Sequence, residues 1–122
     1  MIYLSASELA ERIRSRELPS REVVDAHIDR IERVDNSINA VVMRRFDEAR
    51  YEADAADEAI RRGETVGPLH GVPVTIKDQF MVKCLPMTCG LSRLQDNVSD
   101  RNGKVVGSWV SAGAIVLGKT SV

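Results

Sequence analysis

Aromatic side chains are scarce in this sequence: one Trp, two Tyr and two Phe in 122 residues. Any core it forms is therefore aliphatic and alanine-rich. An excess of either charge is missing too, with 17 Lys and Arg against 18 Asp and Glu and a net charge of −1. That balance gives no electrostatic reason to expect nucleic acid or an anionic membrane as a partner. No apolar run approaches the length of a membrane span, and Met1-Ile2-Tyr3-Leu4-Ser5 lacks the basic and apolar regions of a signal peptide. The expectation is a soluble, cytoplasmic protein. Only two cysteines occur, Cys84 and Cys89, with no histidine nearby; His27 and His70 lie in unrelated contexts. A metal site needs more ligands than that, so the expectation is no metal and a pair of free, partly buried thiols. Internal repeats and low-complexity linkers are also lacking, and 122 residues suit about one domain.

Near its C-terminus the chain does hold a familiar string, Gly113 to Thr120, "GAIVLGKT", which fits the phosphate-loop pattern G-x-x-x-x-G-K-[ST]. A working phosphate loop places exposed backbone N–H groups between a strand and a helix that opens on the Lys-Thr pair. Here Ala114, Ile115, Val116 and Leu117 stand between the glycines, and only Ser121 and Val122 follow. Such an apolar, β-branched run reads as a buried strand ending at Gly118, with no nucleotide implied.

The rest of the chain reads as alternating helices and strands. Ser5-Ala6-Ser7-Glu8 is a capping box opening a first helix on which Leu9 and Ile13 share a face. Pro19 breaks the chain, Ser20 is placed to cap a second helix, and Val23, Val24, Ile28, Ile31 and Val34 recur on it at helical spacing to about Asp35. Ala40 to Met43 is a short strand. A third helix runs from Phe46 to Arg62 and closes on Gly63, its acidic residues on a solvated face and its alanines and Tyr51 turned inward. The stretch Gly63 to Pro73 holds three glycines and two prolines and is a rigid connection into the strand Val72 to Asp78. After a loop from Lys83 to Gly90, Ser99 or Asp100 is placed to cap a last helix with Val105, Val106, Trp109 and Val110 as its buried stripe, followed by the strand Ala114 to Leu117. The order of elements predicts an α/β fold, with helices packed on a mostly buried sheet.

The informative residue is Lys77, at the end of a buried strand beside Asp78. Desolvation lowers a lysine's pKa, and the neutral amine is then a general base. The competing reading is a structural ion pair between Lys77 and Asp78 or another carboxylate.

The segment "GPLHGVPVTIKD", Gly67 to Asp78, closely resembles the one that carries the catalytic lysine in amidase-signature hydrolases. "SASELAERIRSRELPSREVVDAHIDRIERVDNSINAVV", Ser5 to Val42, is similar to that family's N-terminal helices and first strand, and "SAGAIVLGKTSV", Ser111 to Val122, to the helix end and strand that lead toward its signature. The resemblance covers nearly the whole chain. It implies that residues 1–122 are the N-terminal segment of one amidase-type α/β domain, helices on a mixed sheet and incomplete as it stands. In that segment, 5–62 is the helical region and 67–122 holds the lysine-bearing strand with the helix and strand after it. It further implies a Ser-Ser-Lys triad acting on a small-molecule carboxamide without cofactor or metal. Lys77 matches the lysine; one serine attacks the carbonyl and a second, in a cis peptide bond, relays the proton. Both family serines lie in a Gly/Ser-rich segment beyond Val122, so this chain is expected to hold the base alone. Cys84 departs from the family by standing where a glycine is more frequent.

The alternative expectation, from a different class, is a catalytically inactive remnant that associates through its open sheet edges and apolar helix faces, with a homo-oligomer left open.

Overall fold

The structure, a computed structural model, describes residues 1–122. Four α-helices and three strands follow in the order α1 (Ala6–Arg14), α2 (Ser20–Val34), β1 (Val41–Arg44), α3 (Phe46–Arg61), β2 (Pro73–Lys77), α4 (Lys104–Ser111) and β3 (Ile115–Thr120), with short 3-10 turns at Asp35–Ser37 and Ser92–Leu94. The fold is α/β, as the sequence predicts. β3 is the central strand of a mixed sheet, antiparallel to β1 and parallel to β2. A central strand is covered on both faces and so reads as a continuous apolar run. Ile115 and Leu117 meet Val24 and Ile28 of α2 and Ala49 and Ala53 of α3, while Val116 meets Ile76, Val82 and Val106 on the opposite face. Leu9, Ala10 and Ile13 of α1 pack with Val23 and Val72 in a third cluster.

Local chemistry explains the helix starts. The Ser5 side chain accepts from the Glu8 N–H at 3.1 Å and its hydroxyl donates to the Glu8 carboxylate at 3.0 Å, closing the first turn of α1. Ser20, by contrast, is no cap. It is the first residue of α2, fully buried, and its hydroxyl donates to the Gly71 carbonyl at 2.7 Å. The cap comes from Asp57 in α3, whose carboxylate accepts the N–H groups of Ser20 at 2.6 Å and Arg21 at 2.9 Å. A carboxylate at a helix N-terminus satisfies orphan donors and faces the positive end of the dipole. The acidic residues of α3 are thus only partly a solvated face: Asp57 caps, Asp54 pairs with Arg21 and Glu52 with Arg45.

The strand around the phosphate-loop string is longer than expected, because β3 runs through Gly118 and Lys119 to Thr120. Both glycines are required by close backbone contacts. Gly113 ends α4 at φ 103°, with the position of a Cβ 2.5 Å from the His70 Cα. A Cβ on Gly118 would overlap the Met43 carbonyl oxygen, where the β1–β3 register slips.

Four further expectations are corrected. The helix α4 starts at Lys104, not at Ser99 or Asp100, because Ser99 serves a loop: its carbonyl accepts from the Cys84 N–H and its N–H donates to Leu85. Of the stripe on α4 only Val106 is buried; Val105, Trp109 and Val110 are 55%, 41% and 41% exposed, since no element of these 122 residues covers that face. Tyr51 is 77% exposed, the small side chains Ala49, Ala53 and Ala56 alone fitting the close approach of α3 to its neighbours. The thiols of Cys84 and Cys89 are free, as expected, but both residues are exposed rather than partly buried. No helix is long and apolar enough to cross a membrane.

Candidate active site at the ends of β2 and β3

Because β2 and β3 are parallel, their C-terminal ends meet, and Lys77 lies in register with Thr120. Side chains alternate along a strand. Ile76 and Asp78 therefore point into the core while Thr75 and Lys77 point out, and both of the latter are exposed. The Lys77 side chain engages no hydrogen-bond or ion-pair partner, so the competing reading, an ion pair with Asp78 or another carboxylate, is not realised. Asp78 instead faces Lys119, whose Nζ lies 3.0 Å from Asp78 Oδ1 and donates to the Pro86 carbonyl at 2.8 Å.

Both members of this pair are buried, Lys119 completely and Asp78 to within 2%. The Thr88 N–H donates to Asp78 Oδ1 at 3.1 Å and the Thr88 hydroxyl to Oδ2; the Asp78 N–H donates to the Thr120 carbonyl at 2.9 Å. Burial pushes the Asp78 carboxyl up, but the hydrogen bonds from Thr88 and Lys119 and the charge of Lys119 outweigh it and hold the group below its ordinary 3.8. One carboxylate thereby ties the end of β2 to the end of β3 and to the loop 81–99. Asp35 plays a similar part at the start of β1. Burial again pushes its carboxyl up, and the N–H groups of Ala40 and Val41 with Arg44 bring it down past the ordinary value.

A groove of about 270 Å³ opens beside this cluster, bordered by Met43, Asp78, Thr88, Gly90, Leu91 and Ser121. Thr88 and Gly90 thus lie at a concavity next to the strand ends. A larger cavity of about 430 Å³ lies elsewhere, between Arg45, Glu52, Val82, Leu85 and Val110, and contains neither Lys77 nor Asp78. Cys84 adopts φ 73°, in the left-handed region, which accounts for a glycine suiting that place. His70 and His27 are used structurally, each ring within hydrogen-bond distance of a backbone carbonyl, Ala56 at 2.9 Å and Val23 at 2.8 Å.

Sequence reasoning singled out Lys77 and passed over Lys119. The signal for Lys119 was present: a lysine two residues beyond "AIVL" is improbable in a buried strand unless a carboxylate awaits it. The matching aspartate was already in view at position 78.

The family model described as Amidase matches residues 22–122. Among relatives, an acylamidase of Rhodococcus erythropolis is 42% identical over 98% of this chain and 25% of its own length. A glutamyl-tRNA(Gln) amidotransferase subunit of Corynebacterium diphtheriae is 42% identical over 98% of the chain and 24% of its own. A solved bacterial aryl acylamidase of the amidase-signature enzymes superposes with a TM-score of 0.88 at 34% identity, covering 98% of this chain and 25% of that one. The chain spans about a quarter of the length of these relatives and matches their N-terminal part. With helices, sheet order and lysine-bearing strand all in place, the chain belongs to the amidase-signature family.

Proposed function

We propose that these residues form the lysine-bearing part of an enzyme that hydrolyses a small-molecule carboxamide to an acid and ammonia or an amine. Lys77 is the general base, and the nucleophilic and relay serines come from the family's signature segment, outside these 122 residues. The observation that carries this reading is the contrast between two lysines at one end of the sheet. Lys119 is engaged by Asp78 and Pro86, whereas Lys77 stands exposed and unpartnered at a strand end. A base needs a rigid support and a free lone pair. The strand supplies the support, while the desolvation that frees a lysine's lone pair has to come from segments outside these 122 residues, since Lys77 is exposed here rather than buried as the sequence led one to expect.

The chemistry follows from the family resemblance. The neutral Nζ of Lys77 accepts a proton from the relay serine, which accepts one from the nucleophilic serine as its oxygen attacks the amide carbon. The tetrahedral intermediate collapses when the proton returns through the relay to the leaving nitrogen, leaving an acyl-enzyme. Water then repeats the sequence and frees the acid. Backbone N–H groups stabilise the oxyanion, an effect worth about 2.7–4 kcal/mol per donor in comparable hydrolases.

The test uses the polypeptide of natural length that carries these residues, its size fixed by intact mass. It is expected to release amine from a simple aryl or alkyl amide, and Lys77→Ala is expected to lower kcat at least a thousandfold. Normal activity in that variant would refute the role given to the lysine.

A second reading is favoured by the exposed face of α4, where Val105, Trp109 and Val110 stand side by side at the surface, and by the open edges of β1 and β2. It makes the 122-residue chain an inactive module that pairs with another copy of itself. Sedimentation equilibrium decides it: a monomer at tens of micromolar concentration excludes the module.

A further inference from the structure

We propose that Lys119 is a positioning residue for the hydrolytic lysine, acting through Asp78; the inference rests on the amidase reading above.

A fold fixes only part of a lysine side chain. Four rotatable side-chain bonds separate Nζ from the backbone, so the direction of the Cα–Cβ bond is what the strand determines. Lys77 is the last residue of β2, and beyond it a single backbone hydrogen bond, from the Asp78 N–H to the Thr120 carbonyl, continues the ladder. A strand end held that way frays and rotates readily. The Asp78 side chain prevents this. Its two oxygens hold three donors from two different elements, the Lys119 Nζ, the Thr88 N–H and the Thr88 hydroxyl. Successive side chains alternate, so fixing Asp78 inward fixes Lys77 outward.

Lys119 is the part of this clamp that only a cation can supply. Thr88 sits on a loop, whereas Lys119 projects from the central strand and is itself fixed by the Pro86 carbonyl. Removing its charge leaves a carboxylate buried without a counter-ion, which then turns toward solvent. The backbone of Asp78 follows, and the direction of Lys77 changes with it. Lys119 is not an alternative base: it is fully buried and its donors are directed at Asp78 and Pro86. The groove beside the cluster is bordered by Asp78 and Thr88 but by neither Lys119 nor Lys77, so Lys119 acts from behind the clamp.

The experiment compares Lys77→Ala, Lys119→Met and the uncharged pair Asp78→Asn with Lys119→Met, all in the polypeptide of natural length. Folded fraction is measured by circular dichroism, and kcat and KM are expressed per folded molecule. The expected result for Lys119→Met is a loss of at least tenfold in kcat with KM within twofold, because a misdirected base weakens the chemical step rather than substrate binding. If Lys119→Met does not fold, the uncharged pair takes its place. It leaves no orphan charge but also no tie from residue 78 to β3, so only the contact with Thr88 still holds the end of β2, and it is expected to show a loss in kcat in the same direction. A purely structural role would lower the folded fraction and leave kcat per folded molecule unchanged, and that result overturns the inference alone. An unmodified protein without amidase activity, or a fully active Lys77→Ala, overturns the amidase reading and this inference together.

Discussion

Replacing Lys119 by Met removes one charge from a pair in which both partners are buried, and the cost can be worked out from the geometry. The side chain of Lys119 is wholly inaccessible and Asp78 nearly so, with 3.0 Å between them. Breaking such a pair from one side costs about 3–5 kcal/mol, because the remaining charge keeps its desolvation penalty. A domain of this size has about 5–15 kcal/mol of stability in total. With a urea slope of about 2 kcal/mol per molar, the unfolding midpoint should fall by about 1.5–2.5 M. The pH dependence identifies the cause. In the unsubstituted chain the Asp78 carboxyl is held below 3.8, so its contribution is complete above that pH and is lost as pH falls through the lower folded value. In Lys119→Met the orphan carboxylate gains most from protonation, since burial is no longer opposed by a cation. The gap between the two proteins should therefore be widest near pH 7, begin to narrow above 3.8 as the orphan carboxylate takes up its proton, and go on narrowing as pH falls toward the lower value of the unsubstituted chain. Urea titrations of the chain at pH 7, 5 and 3.5 read this directly. A cost under about 1 kcal/mol at pH 7, the value typical of an exposed pair such as Arg21 with Asp54, would refute the reasoning.

Lys77→Ala, which nearly abolishes turnover in the proposed mechanism, should leave the unfolding free energy of the chain, read by urea titration, unchanged within about 0.5 kcal/mol, because the side chain is exposed and unpartnered. Gly118→Ala places a methyl group on the Met43 carbonyl, a rigid backbone neighbour, and should cost at least about 1–3 kcal/mol in the same titration. Asp57→Ala strips two N–H acceptors from the start of α2 and should cost about 1–2 kcal/mol, with a matching loss of amide-exchange protection at Ser20 and Arg21. Cys84→Gly relieves a left-handed backbone worth about 1–2 kcal/mol against an entropic cost of about 0.5–1 for glycine. A small rise in melting temperature is expected, and a fall would show that the thiol makes contacts outweighing the strain.

Periodicity made most of the fold legible. The spacing of Val23, Val24 and Ile28 located α2, the run Ala114 to Leu117 located β3, and the capping box located the start of α1. What escaped depends on contacts between distant segments. Asp57 caps a helix 37 residues earlier in the chain, and no local pattern reveals that. Ser99 looks like a helix cap because Ser and Asp favour such places, yet its backbone is committed to the loop across from Cys84 and Leu85. The α4 stripe has helical spacing, but spacing identifies an apolar face without saying what covers it. Lys77 was legible as a candidate because a charged residue after an apolar strand is unusual. Its true surroundings were not, since the choice of partner for Asp78 is made by the register of β2 on β3.

The phosphate-loop string shows how the same letters can serve a different physics. In a nucleotide site its glycines free the backbone to wrap phosphates, and its lysine reaches an anion brought by the ligand. Here Gly113 lets the chain turn against His70 and Gly118 lets β1 approach, both by removing a Cβ that backbone atoms would strike. The anion that Lys119 meets is the protein's own Asp78, and Thr120 takes part through its carbonyl, accepting the Asp78 N–H. The glycines and the lysine of the pattern are thus engaged within the fold, and Thr120 through its backbone. The discriminating feature is the character of the four residues between the glycines. Apolar, β-branched residues there commit the backbone N–H groups to a sheet, and a sheet has none to offer a phosphate.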